Sequence, residues 1–90
     1  MPQAIADPGE LRRFAANLKQ FGQEIDARMA SLRGQFNGLS QTWRDKEHEK
    51  FAEEFDHTIQ AIGRFVEVTN QHIPFLLRKA DRLEEYLQQR

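Results

Sequence analysis

The chain has 90 residues, of which 39% are hydrophobic and 30% charged, and its formal net charge is −1. This length fits one domain, and the near-neutral charge excludes the strongly basic surface typical of nucleic-acid binding. The absence of cysteine excludes disulfides, thiol catalysis and thiolate metal sites. A lone helical hairpin of this size has a thin core, so self-association is favoured from the outset.

The sequence predicts neither a membrane span nor a secretory signal peptide. No apolar run approaches the roughly 18 residues that a spanning helix needs. The segment Met1–Gly9 lacks both a basic and an apolar region, and residues 1–6 are predicted to form a frayed tail. We therefore expect a protein that stays in the cytoplasm, or one secreted by a route that does not read a signal peptide.

A first helix is predicted over residues about 8–37. Asp7 can cap it, Pro8 suits the first helical position, and Glu10 favours the positive end of the helix dipole. Apolar residues then recur at helical heptad spacing along one side. The members of this stripe that are predicted to hold a helical bundle are Leu11, Phe14, Leu18, Phe21 and Ile25.

A turn is predicted over residues 38–41. Asn37 and Gly38 both tolerate positive φ, which makes the pair a helix-end signal. Thr42 can cap a new helix, and Asp45, three residues later, can return a hydrogen bond to the cap. We therefore expect the second helix to begin near Thr42.

The second helix is predicted over residues about 42–88. Its apolar residues alternate at spacings of three and four, which is typical of a left-handed helical bundle. Those predicted to form its core and dimer interface are Phe51, Phe55, Ile59, Ile62 and Val66. The stripe is too wide for one neighbouring helix to cover. We therefore predict an all-α fold, in which residues 1–90 form a single antiparallel helical hairpin that pairs into a four-helix bundle dimer.

A kink or break is predicted near Pro74, because proline removes a helix hydrogen bond and clashes one turn back. If the chain folds back at Ser40–Gln41, the residue opposite Pro8 is about Ile73. The rest of the second helix would then overhang the hairpin, where it could fold back, pack on the mate or bind another protein. The residues proposed for that partner surface are Val68, Phe75, Leu83, Tyr86 and Leu87.

The turn resembles that of the WXG100 (ESAT-6-like) family, small helical hairpins in which Trp-x-Gly forms the turn. Trp43 is followed eight residues later by Phe51, as in that family, while Asp45 stands where the family has glycine. The family's tail motif, Tyr-x-x-x-Asp/Glu, corresponds to Tyr86 and Arg90, with a base in place of the acid. The resemblance implies a non-enzymatic homodimer, or a heterodimer with a related small protein, that is secreted by a type VII (ESX-like) system and contacts its machinery or an effector.

Other functions have weaker support in the residues. No catalytic group or cofactor site is predicted, and the one Glu-x-x-His spacing, Glu54 to His57, lies beside inward-facing apolar residues and should point outward. Trp43 is either a recognition anchor or a plug for the end of the bundle. The alternative function is that of a cytoplasmic coiled-coil adaptor or chaperone for a larger partner protein.

Overall fold

Two long helices make up almost all of the structure, a computed structural model that describes residues 5–89. Helix α1 spans Pro8–Leu39 and helix α2 spans Lys46–Gln88, and residues 40–45 join them. The helices lie side by side in a rod of 69 × 17 × 17 Å. The prediction of an all-α helical hairpin is confirmed. Of the predicted frayed tail, residues 1–4 lie outside the described part.

Helix α1 begins as its sequence predicts and ends two residues later than expected. The Asp7 carboxylate accepts a hydrogen bond from the Gly9 amide at 2.8 Å, and Pro8 occupies the first turn. Gly38 remains helical, and no residue from 5 to 89 has a positive φ. The helix is capped instead by Ser40, whose backbone amide and hydroxyl both donate to the Phe36 carbonyl at 2.9 Å. These bonds satisfy the terminal carbonyl without a left-handed residue.

The predicted start of the second helix near Thr42 is wrong by four residues. The backbone amide and hydroxyl of Thr42 bond back to the Leu39 carbonyl, so this residue closes the end of α1. Asp45 caps α2 instead: its backbone is extended and its carboxylate accepts from the His48 amide at 3.0 Å. Asp45, which was predicted to lie inside the first turn of the second helix, is therefore the residue that caps it.

The longer connection changes which residues face each other, and the predicted overhang of α2 is absent. Arg12, near the start of α1, donates to Asp81 at 2.9 Å and also pairs with Glu84. These hydrogen bonds raise the pKa of Arg12. The bond to Glu84 has the larger effect, and the bond to Asp81 has the smaller one. The C-terminal part of α2 thus lies along α1 rather than beyond it.

Helix α2 continues through Pro74 without the predicted break. Pro74 is exposed, so water can reach the carbonyl one turn earlier that loses its amide partner. The neighbours Ile73 and Leu76 are partly covered, and Ala80 is buried. Packing on both sides of the proline therefore outweighs its local cost to the helix.

Small side chains form the contact between the two helices. Ala15 and Ala80 are 1% and 0% exposed, and Ile59, Val66 and Thr69 are also buried. At Gly22 an added Cβ would lie 3.4 Å from Asn70 Oδ1 and 3.5 Å from Val66 Cγ1, so α1 approaches α2 closely there. Among the described residues, no large side chain is fully buried. The hairpin alone therefore leaves much of its apolar surface in contact with water.

Candidate functional site

One side of the hairpin carries an apolar groove of about 550 Å³ between the two helices. Its walls are almost wholly apolar, and Arg28 lies at its edge. The groove is lined by Ile25, Arg28, Met29, Leu32, Thr58, Ala61, Ile62 and Phe65. A concave strip of this kind fits an apolar helix face better than a polar small molecule.

At the same position along the rod, the opposite side of the hairpin is polar. The groove found there is lined by Asp26, Gln60, Gly63, Arg64, Val66, Glu67 and Asn70. Charged and amide side chains dominate this set, in contrast to the apolar groove. The hairpin is therefore amphipathic as a whole, with one side suited to water and the other to a protein partner.

Exposed phenylalanines extend the apolar side along the rod. Phe14 is 57% exposed and Phe65 55% exposed. Phe21 and Phe65 meet edge to face with their ring centroids 6.4 Å apart, which joins α1 to α2 across the groove. Such large aromatic surfaces are typical anchors of protein interfaces.

The ten residues predicted for the core and dimer interface divide into three groups. Ile59 and Val66 are buried between the helices. Five are partly covered, and they are Leu11, Leu18, Ile25, Phe55 and Ile62. Three remain exposed, and they are Phe14, Phe21 and Phe51. The division separates the core of one hairpin from its exposed apolar surface, which periodicity alone could not do.

A cluster of aromatic rings closes the loop end of the hairpin. Phe36 lies at its centre, with ring centroids 5.2 Å from His48, 5.6 Å from Phe51 and 5.0 Å from Phe55. Trp43 packs against His48 at 5.1 Å and Phe51 at 5.9 Å. The half-buried Trp43 ring thus covers this end of the hairpin, as the plug interpretation expects, while part of it remains accessible.

A hydrogen bond fixes His48 within this cluster. Its Nε2 lies 2.8 Å from Ser40 Oγ, and the Ser40 hydroxyl donates to the Phe36 carbonyl. Since that hydroxyl has only one proton to donate, it accepts from His48, and Nε2 carries a proton. The pair ties the end of α1 to the first turn of α2.

The residues proposed for a separate partner surface do not form one exposed patch. Val68, Phe75 and Tyr86 are exposed, and Leu87 is 40% exposed at the end of α2. Leu83 is partly covered and lies three residues after the buried Ala80, on the same side of the helix. Because α2 lies along α1 over this stretch, the exposed residues of this set lie on the outer side of α2 and not on a free tail.

Sequence reasoning overlooked the small residues at the helix contact. Ala15 and Gly22 are seven residues apart, and this spacing was the signal that they share a face. Glu54 and His57 are exposed, and residues 5–89 contain no group of three or more potential ligands placed to hold a metal ion. Within the same residues, no helix is long and apolar enough to cross a membrane.

The WXG100 family model, described as proteins of 100 residues with WXG, matches residues 3–86. The chain belongs to the WXG100 family. The resemblance based on Trp43 and Phe51 is therefore confirmed. Members of this family are small, non-enzymatic helical proteins that are secreted and typically form dimers. No protein with a curated description matches the chain.

Solved structures of EsxB, a secreted protein of Bacillus anthracis str. Sterne, have the same fold as this WXG100 chain. A proline-to-alanine variant of EsxB aligns with a TM-score of 0.85 and 27% identity, covering 94% of this chain and 99% of EsxB. A selenomethionine-labelled EsxB gives a TM-score of 0.79 and 28% identity, covering 96% and 98% of the two chains. The match spans both helices and the loop between them.

Asp45 replaces the glycine of the WXG100 motif without strain. Its φ of −95° suits any residue, so glycine's conformational freedom is not required here. The carboxylate instead supplies the cap of α2, through its bond to the His48 amide. Acidic residues in the first turn, Glu47 and Glu49, add a favourable interaction with the helix dipole.

We expect Asp45→Ala to lower the free energy of unfolding by about 1 kcal/mol, because the capped amide loses its acceptor. Asp45→Gly, which restores the residue of the family motif, should cost only about 0.3 kcal/mol. Urea denaturation followed by circular dichroism measures both changes. Arg44→Ala is the matched control, and an equal loss in that variant would contradict the capping role.

Proposed function

We propose that this chain is a non-enzymatic WXG100 protein that works as a homodimer and is exported by a type VII (ESX-like) secretion system. The apolar side of the hairpin carries the proposal, because a single chain leaves Phe14, Phe21 and Phe65 in water. Burial of such rings against a second hairpin is strongly favourable, since aromatic side chains dominate interface energetics.

The shape of the apolar side supports a helical partner. The groove between α1 and α2 is open along the rod and has almost no polar lining. A second copy supplies the same exposed phenylalanines and so fits the groove by symmetry, as in isologous dimers. Four helices then enclose one core, in which each helix has two neighbours.

Export rests on the likeness to EsxB, which is a secreted protein and shares 28% of its residues with this chain. In the paired state the exported particle would be a compact folded rod. Trp43, at the loop end, and Tyr86, near the end of α2, lie at opposite ends of α2 and are the residues proposed to contact the secretion machinery or an effector.

Two measurements test this function. Light scattering on the protein purified alone should give twice the chain mass of 10.6 kDa. A monomer that pairs only when a related protein is added would make it a heterodimer subunit. In the native host, the protein should accumulate in the culture supernatant without a cytosolic marker, and inactivation of the secretion system should abolish this. Retention in the cells would favour the cytoplasmic adaptor or chaperone.

A further inference from the structure

A separate depression lies at the loop end of the hairpin, beside Trp43. Its volume is about 390 Å³, and it is lined by Trp43, Glu47, Lys50, Phe51 and Glu54. None of these residues lines the apolar groove or the polar groove described above. Its wall combines two aromatic rings with three charged side chains. Packing within the hairpin accounts for the rings but leaves the charged groups without a role.

The two rings of the depression form an open wedge. The ring centroids of Trp43 and Phe51 are 5.9 Å apart, and their planes are inclined by 39°. Contacts of Trp43 with His48 and of Phe51 with Phe55 hold both rings in place. Phe51 is 43% exposed and Trp43 is half-buried, so each ring keeps surface open to water. Aromatic faces attract cations, and tryptophan does so most strongly.

Two carboxylates flank this wedge. Glu47 precedes Phe51 by four residues and Glu54 follows it by three, so all three lie on one side of α2. Both glutamates are exposed. The two salt bridges found in the described part of the chain both belong to Arg12, so neither carboxylate has an ionic partner there. The depression therefore offers a cation both aromatic faces and negative charge.

Arginine is the side chain that uses both of these elements. Its flat guanidinium can stack on a ring while its N–H groups donate to carboxylates, whereas the compact ammonium of lysine does not stack. The surrounding sequence favours the approach of a basic partner, because residues 45–56 contain six acids and two lysines. One of these lysines, Lys50, lies in the depression itself and reduces its negative charge.

We propose that the depression beside Trp43 binds an arginine side chain from a basic segment of a partner protein. The guanidinium stacks on the aromatic wedge and donates to Glu47 and Glu54. This inference rests on the proposed contact between Trp43 and the secretion machinery or an effector, and it gives that contact its chemistry. A single exposed site of this kind binds weakly, so it contributes more to the choice of partner than to affinity.

Peptide titration tests the site, and Trp43 is the reporter because the chain has no other tryptophan. The probe is acetylated and amidated Gly-Gly-Arg-Gly-Gly at constant ionic strength. It should change the fluorescence saturably, with a dissociation constant on the order of millimolar. The same peptide with citrulline, which has the shape of arginine without its charge, should bind at least about tenfold more weakly. Equal binding of the two peptides would overturn the proposal.

A pair of charge-matched variants locates the binding. Glu47→Gln combined with Glu54→Gln should weaken the arginine peptide by about tenfold. Glu49→Gln combined with Glu53→Gln removes the same charge from the same helix outside the depression, and it should change the affinity by less than about twofold. Lys50→Gln should strengthen binding by about twofold, because a like charge is removed. Equal losses in the two double variants would indicate general attraction to an acidic helix and would overturn the site.

Further measurements separate this site from the proposed function on which it rests. Light scattering gives the oligomeric state of each variant. If the arginine peptide bound the Phe65→Asp monomer but not the wild-type dimer, the second copy would cover the depression, and a site for an outside partner would be refuted. A wild type that is dimeric and exported, but does not distinguish arginine from citrulline, would refute this site alone. A wild type that is monomeric or retained in the cells would contradict the proposed function instead.

Discussion

Replacing Ala15 with glutamate is expected to unfold the hairpin at moderate temperature. Ala15 is only 1% exposed at the contact between the helices, so a larger side chain must separate them or bury its carboxylate. Burial of a charge without a partner, together with overpacking, lowers the free energy of unfolding by about 3 kcal/mol or more. For a domain of this size that is a large part of the total stability.

The next residue along α1 provides a matched control. Ala16 is exposed, so Ala16→Glu makes the same chemical change on the same helix without entering the contact. Ala16→Glu should change the free energy of unfolding by no more than about 0.5 kcal/mol. Urea denaturation followed by circular dichroism compares both variants at one protein concentration, because dimerisation makes apparent stability depend on concentration. Equal stability of the two variants would show that the close helix contact at Ala15 does not exist.

Phe65→Asp is expected to split the dimer while leaving the hairpin folded. Phe65 is 55% exposed in the single chain, so the hairpin tolerates a polar residue there. In the proposed dimer the ring is buried and occurs twice, and truncation of an interface anchor costs about 2 kcal/mol or more for each copy. The dissociation constant should therefore rise by about a thousandfold.

Gln60→Asp is the control for this variant. It adds the same charge to the same helix, but Gln60 lines the polar groove on the opposite side of the hairpin. Its dimer should be unchanged in light scattering across a dilution series, while Phe65→Asp gives the monomer mass with helical circular dichroism retained. A Phe65→Asp protein that stays dimeric would place the interface elsewhere on the molecule.

Heptad periodicity predicted the two helices and their apolar sides, because helix geometry repeats the same face every seven residues wherever the chain is helical. It could not separate core from interface. The core stripe residue Val66 and the exposed Phe65 are sequence neighbours, and both are apolar. Only the position of α1, fixed by close contacts at Gly22, decides which of the two is buried.

The local signals around the loop were harder to interpret. Asn37 and Gly38 permit a helix end but do not require one, and the helix continues through both. Thr42 and Asp45 are both good caps, and their roles depend on which carbonyls α1 leaves free. The misplaced turn then led to the predicted overhang, since a shift in the fold-back point changes every opposite pair along α2. The salt bridge between Arg12 and Asp81 illustrates this change, because Asp81 lies in the stretch that was predicted to overhang the hairpin.

The ion pairs that join Arg12 to Asp81 and Glu84 hold the start of α1 and the end of α2 at one pole of the rod. A partner bound at the start of α1 would therefore lie beside the end of α2, and the Trp43 loop would remain accessible at the far pole. In an antiparallel pair, each pole would display one loop together with one set of chain ends. The two ends of such a dimer would be identical, so a receptor would meet the same surface at either end.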